Sequence, residues 1–212
     1  MSFASSRSAV EETGVFGPVM GLVAATVGFL TLGTYLGRNL SGGAAIVFFL
    51  LGFGCVVGLN FARNAGGAAI GLLFATGLFL GLGLGGVIDA YAHAAPGAVW
   101  QAAAATTLFV GGLGALGYTI EADLSAGYRV LSFSLLGLIV LSLITLFVSM
   151  PAGNVIYAVV GLAVFGGYTV LDFNRMRRAG VDDAVNLAAG IFLDVLNVFT
   201  FFLQLFGDGR GD

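Results

Sequence analysis

Long apolar runs, each near the length of a bilayer crossing, follow one another along this chain with short polar connections between them. A helix rises about 1.5 Å per residue and a hydrocarbon core is about 30 Å thick, so a span needs about 20 apolar residues. Seven stretches qualify: residues 15–36, 42–59, 66–88, 98–119, 130–148, 153–174 and 184–206. The pattern predicts an all-α membrane protein built as a seven-transmembrane-helix bundle. A transmembrane barrel would alternate polar and apolar residues in segments of about ten, and these blocks are unbroken. Residues 1–14 then form a polar N-terminal segment, 15–206 a single transmembrane domain and 207–212 a short polar tail. Pro18, Pro96 and Pro151 fall near the ends of runs, where proline costs a helix least.

Composition agrees. The chain is 58% hydrophobic and 9% charged, where a soluble domain carries about 25% charged residues. Mean hydropathy is +1.03, and no water-soluble fold could enclose that much apolar surface. The lipid bilayer is the expected partner, and no nucleic-acid partner is expected. The 35 glycines suit membrane helices, which approach closely through small residues. The pairs Gly33/Gly37, Gly54/Gly58, Gly67/Gly71 and Gly77/Gly81 read as packing faces rather than as an internal repeat. The polar start MSFASSRSAVEETG and the length of the first run do not fit a cleaved signal, so that run is expected to stay as a helix.

All eight basic residues are arginines. Arg7, Arg63, Arg129, Arg175, Arg177 and Arg178 fall on the side of the N-terminus; Arg38 and Arg210 fall on the other. Arginine-rich loops stay cytoplasmic, which predicts a cytoplasmic N-terminus and, with seven spans, an external C-terminus. If the last helix were re-entrant, the C-terminus would be inside.

Most polar motifs have structural readings. GLGLGG (Gly81–Gly86) matches a dinucleotide fingerprint in letters only, because that motif needs a strand before it and a helix after it. Near the end of an apolar run it reads as a close-packing face. Asp89 and His93 in IDAYAHAAPG read as a solvated external loop, with a cation contact as the other reading. Glu121 and Asp123 are loop acids, and Asp123 is placed to cap the next helix. Cys55 reads as an inert small hydrophobe, and Trp100 and Tyr91 as interfacial anchors. One cysteine and one histidine permit neither an internal disulfide nor a multi-histidine metal site. No nucleophile–base set assembles. Two membrane aspartates are the minimum for an intramembrane aspartyl protease, but LDF and LDV do not resemble the YD and GLGD sequences of the presenilin class. No enzyme activity and no cofactor are expected.

Two acids stand apart. In GYTVLDFNRMRR, Asp172 ends an apolar run; in IFLDVLNVFTFFLQLF, Asp194 lies between uncharged residues 184–193 and 195–207. An ionised acid at mid-membrane costs about 2.5–3.5 kcal/mol on insertion scales, and such residues mark ion pathways or proton relays. For Asp172 alone, an interfacial position held by Arg175 at i,i+3 is the other reading. If the sixth helix runs to about Gly180 and the seventh starts near Asp183, the two helices form an antiparallel hairpin. The aspartates then lie roughly 12 and 16 Å from the turn and can meet. Two carboxylates sharing a site cannot both ionise easily, so the pair would hold one proton near neutral pH and titrate as a unit. Fully ionised, it would attract a hard cation such as Ca²⁺ through its oxygens.

YAVVGLAVFGGYTVLDFNRM (Tyr157–Met176), followed by LAAGIFLDVLNVFTFFLQLFG (Leu187–Gly207), resembles the last two helices of the Bax inhibitor-1 family, the transmembrane Bax-inhibitor-motif proteins. Tyr157, Gly161, Phe165, Tyr168, Asp172 and Asn174, then Leu193, Asp194, Asn197 and Phe199, carry the likeness. TTLFVGGLGALGYTIEADLS (Thr106–Ser125) resembles that family's fourth helix and following loop. The resemblance implies six helices around a central C-terminal helix. It implies a pH-sensitive calcium-leak channel, with calcium as the transported ion and Asp172 and Asp194 as the paired-aspartate sensor and possible Ca²⁺ contact. It also implies an arginine latch, for which Arg63 in LNFARNAG stands at the matching place; the other reading of Arg63 is a positive-inside loop arginine. Where the bacterial calcium-leak members carry a glutamate in the second helix, this chain has Gly52. A non-conducting module acting through unidentified protein partners, or a proton-coupled small-solute transporter, are the other readings. A prokaryotic cell membrane is the expected location.

Overall fold

A computed structural model describes residues 14–40, 42–62, 66–147 and 153–208. Among these residues there are helices and no strands: α1 (Phe16–Gly37), α2 (Gly43–Phe61), α3 (Gly67–Ala94), α4 (Pro96–Thr119), α5 (Gly127–Phe147), α6 (Gly153–Met176) and α7 (Ala184–Asp208). A one-turn 3-10 helix, η1 (Val181–Asp183), leads into α7. Six of the helices, all but α5, are long and apolar enough to cross a membrane; Gly127–Ser142 of α5 makes a shorter apolar helix. Large apolar side chains face outward along them, among them Leu50, Phe61, Trp100 and Leu108. That surface would drive association in water but is at home in hydrocarbon, where helices also satisfy their own backbone groups. The chain is a multi-pass integral membrane protein.

The expected external loop at 89–95 is helical instead. α3 continues through Asp89 and His93 to Ala94 and breaks at Ala95 (φ −142°, ψ 69°). Ala95 precedes Pro96, whose ring disfavours helical geometry at the residue before it, while Pro96 itself suits the first turn of α4. Helical spacing brings His93 Nδ1 to 2.9 Å from the Asp89 carbonyl and 3.4 Å from its carboxylate. Tyr91 packs against Gly207 of α7, and Trp100 is outward-facing in the first turns of α4.

Of the four glycine pairs, two are packing faces. A Cβ at Gly33 or Gly37 would run into the α3 backbone at Leu78 and Leu82, and one at Gly77 or Gly81 into the α1 backbone at Thr26 and Leu30. Gly85, inside GLGLGG, meets Thr34 and Gly37. The motif is a helix-packing surface. Gly54, Gly67 and Gly71 have open space around them, because they face away from neighbouring helices. Gly81→Leu is therefore expected to cost about 3 kcal/mol, the upper range for overpacking. Gly71→Leu is the matched control. Thermal unfolding in detergent should fall for the first and hold for the second; equal midpoints would refute the packing role.

α1, α2 and α3 pack together on one side, while α4 and α6 pack with α7 on the other. α7 also touches α1, α2 and α3, and α5 packs chiefly on α6. The α4–α6 seam closes where Gly117 meets the Val170 backbone and Gly114 meets the Phe173 ring. On α6, Tyr157, Gly161 and Phe165 recur every four residues and so share a face. Phe201 of α7 fills the space over Gly161, with ring centroids 5.4 Å from Tyr157 and 5.9 Å from Phe165. This contact sets the α6–α7 register that positions the two aspartates.

Candidate functional site

α6 ends sooner than the hairpin expectation, at Met176 rather than about Gly180. Its last amides, at Arg178 and Ala179, bond back three residues to Arg175 and Met176, so the chain tightens out of α geometry. Asp172 lies nearer the turn than Asp194, in the order the helical count gives. Its Oδ2 occupies the space a Cβ at Gly190 would need. Gly190 and Asp194 are one turn apart on the same face of α7. The carboxyls are therefore neighbours across the α6–α7 contact, offset by about 6 Å along the axis. Only glycine at 190 admits the Asp172 carboxylate there.

Both acids are enclosed: Asp172 is 8% exposed and Asp194 3%. Asp172 turns inward, while Arg175, one turn on, lies 3.8 Å from Asp183. The Tyr128 hydroxyl donates to Asp172 Oδ1 at 2.5 Å. Asp194 faces Thr169 of α6, and its Oδ2 is buried with no hydrogen-bond partner among the described residues. Asp172 is close enough for its charge to act on Asp194. Arg63 lies outside the described residues. Among the described residues no three acidic, histidine or cysteine side chains converge on a point.

Asn174, buried near Asp172 on α6, organises the approach to the pair. Its amide nitrogen donates to the carbonyls of Ile120 (2.8 Å), Ala122 (3.1 Å) and Gly117 (3.3 Å). Its oxygen accepts from the Leu124 amide (3.2 Å) and Arg178 (2.6 Å). One side chain thus satisfies carbonyls that the end of α4 leaves without helical partners. Arg178 also pairs with Asp123 at 2.9 Å, and Arg177 with Glu121 at 3.8 Å. Asp123 accepts the Ser125 amide at 2.9 Å, so it folds a turn ahead of α5 rather than capping the helix itself. That amide, the Ser125 hydroxyl and then Arg178 hold the Asp123 carboxyl below the usual carboxylate range.

These residues wall a polar pocket of about 270 Å³, lined by Asp123, Asn174, Arg175, Arg178 and Asp183, with Tyr128 at its inner side. A second cavity of about 320 Å³ lies between α2, α3 and α7, and takes Asn197, Thr200 and Gln204 from α7. Leu193 and Leu196, flanking Asp194, line its inner wall. Tyr128, Thr169 and Gly190 carry no signal in the sequence. Thr169 and Gly190 are ordinary residues of apolar runs and Tyr128 lies just before one, and only the helix contacts give each a partner.

The family model described as "Inhibitor of apoptosis-promoting Bax1" matches residues 13–211. The chain belongs to this family. An uncharacterized protein of Helicobacter pylori strain 26695 is 32% identical over 165 residues, covering 76% of this chain and 70% of that protein. One from Deinococcus radiodurans is 31% identical over 160 residues, covering 71% and 68%. An uncharacterized membrane protein of Streptococcus pyogenes serotype M1 is 27% identical over 173 residues, covering 78% and 73%. In this Bax inhibitor-1 family member, Tyr157, Gly161 and Phe165 are packing residues, and Asn174 ties α6 to the loop after α4.

Proposed function

We propose that this protein is a pH-sensitive calcium-leak channel, gated by the proton shared between Asp172 and Asp194. The observation that carries the reading is a buried pair of acids on adjoining membrane helices, with one carboxylate oxygen unpartnered among the described residues. Burial of two carboxylates in hydrocarbon is costly unless the site has a use for charge. The reading takes the seven helices as spans of one domain with α7 at the centre, the N-terminus cytoplasmic and the membrane that of a prokaryotic cell. Arg63, if latched to the pair, would couple its charge to the position of α2.

Calcium takes six to eight oxygens, and two carboxylates supply at most about four, so a passing ion would keep part of its water. The pocket at Tyr128 and the cavity at Asn197 lie on opposite sides of the pair and give such an ion two approaches. The second is lined mostly by apolar side chains, with Asn197, Thr200 and Gln204 among them, and Leu80 and Leu196 join Phe192 in an apolar cluster at its wall.

Purified protein in calcium-loaded vesicles tests this directly. A dye-monitored calcium flux that changes with pH supports the channel. No flux at any pH would favour a module acting through protein partners. Proton uptake that depends on an added solute would favour a transporter.

A further inference from the structure

Tyr128 stands between water and the aspartates. It is the second residue of α5, its ring lines the polar pocket, and its hydroxyl donates to Asp172 Oδ1 on the far side. The ring lies 6.2 Å from that of Tyr168, whose hydroxyl donates to Ser132 at 3.4 Å. The turn before α5 is held by Asp123, Asn174 and Arg178, and α5 packs chiefly on α6, so the helix that carries Tyr128 has one main support.

We propose that Tyr128 is a positioning residue that closes the pocket side of the aspartate pair, its hydroxyl latching the ring to Asp172 so that protons and cations from the pocket reach the pair only when this latch opens. The proposal rests on Asp172 and Asp194 being the titrating site. The charged groups around the latch are Arg175 of α6, Asp194 of α7, Asp183 of η1, and Asp123 and Arg178 at the pocket rim. Tyr128 makes access separable from charge. A phenylalanine keeps the wall and loses the latch, and an alanine loses both.

The test uses the full chain in detergent, treated with a water-soluble carbodiimide and an amine, with modified carboxyls located by peptide mass spectrometry. Exposed Asp182 is the internal standard. Asp172 should react far more slowly than Asp182 in the wild type. A hydrogen bond to a charged group restrains opening by about a factor of ten, so Y128F should react about tenfold faster at Asp172. Y128A should be faster again. Equal rates in wild type and Y128F, or a wild-type Asp172 as reactive as Asp182, overturn the proposal. Should Y128A lose its monodisperse elution, Y128F alone decides. The labelling needs no ion flux: a wild type that passes no calcium defeats the channel reading and leaves the labelling result for Tyr128 intact.

Discussion

Replacing Asp194 by asparagine is expected to remove the wild-type pH dependence of calcium flux. Asparagine keeps the shape of the neutral acid and cannot ionise. Coupled titration requires two carboxyls that feel each other, as Asp172 and Asp194 do across the Gly190 turn. With one removed, no shared proton remains and the remaining carboxyl titrates alone, so the flux should no longer follow the wild-type pH curve. Asp172→Asn should act likewise, and the double variant should add little, since residues acting as one unit are not additive. Fold should survive, because a neutral amide in this site costs less than an unpaired buried charge. The measurement is vesicle flux at several pH values with equal amounts of reconstituted protein. A D194N protein whose flux still follows the wild-type pH curve would place the sensor elsewhere. Loss of all flux at every pH, with intact folding, would make Asp194 part of the conducting path as well as of the sensor.

Replacing Asn174 by alanine should destabilise the molecule more than any other polar change near the site. The substitution leaves three carbonyls and the Leu124 amide without their side-chain partner and frees Arg178 from one of its two contacts. A net hydrogen bond contributes about 1 kcal/mol, and unpaired buried groups raise the cost, so the sum is about 3 kcal/mol. Asn174→Asp keeps the acceptor for Leu124 and Arg178 but sets a carboxylate oxygen against the carbonyls of the α4 end, so it should not recover the stability lost in Asn174→Ala. Thermal unfolding in detergent reads both. A midpoint for Asn174→Ala within about 1 °C of wild type would mean that water from the polar pocket replaces the side chain fully. Because Asn174 also braces the turn that carries Tyr128 into α5, the same variant should loosen the latch, seen as faster carbodiimide reaction at Asp172.

The likeness to the family is legible in α6 and α7 because those helices carry it in side chains. Tyr157, Gly161 and Phe165 repeat at helical spacing, and residues 13–211 match the same family. Counting helical rise from the turn brings the aspartates to adjoining helices with Asp194 the deeper of the two, but it carries α6 past Met176, where the helix ends. At its tightened end Arg177 and Arg178 meet Glu121 and Asp123, residues some fifty positions away in the chain that no local pattern connects to them. Asp89 and His93 read as loop for a related reason: hydropathy falls off at 89, but helicity continues until Pro96 forbids it.

The sequence by itself determined the class of the molecule. Runs of about 20 apolar residues leave a backbone no partner but itself in hydrocarbon, so helices across a membrane follow from composition and length alone. It also marked Asp172 and Asp194, because a charge in an apolar run is visible wherever the helix goes. Tertiary structure alone decided what those acids touch. Tyr128, Thr169 and Gly190 are common residues whose importance lies in a distance across helices, and no local pattern records such a distance; Asn174 stood out in the family likeness, but its partners across the α4 end did not. Likewise the glycines at 33, 37, 77 and 81 look the same as those at 54, 67 and 71, and only the direction each faces separates a packing surface from open space.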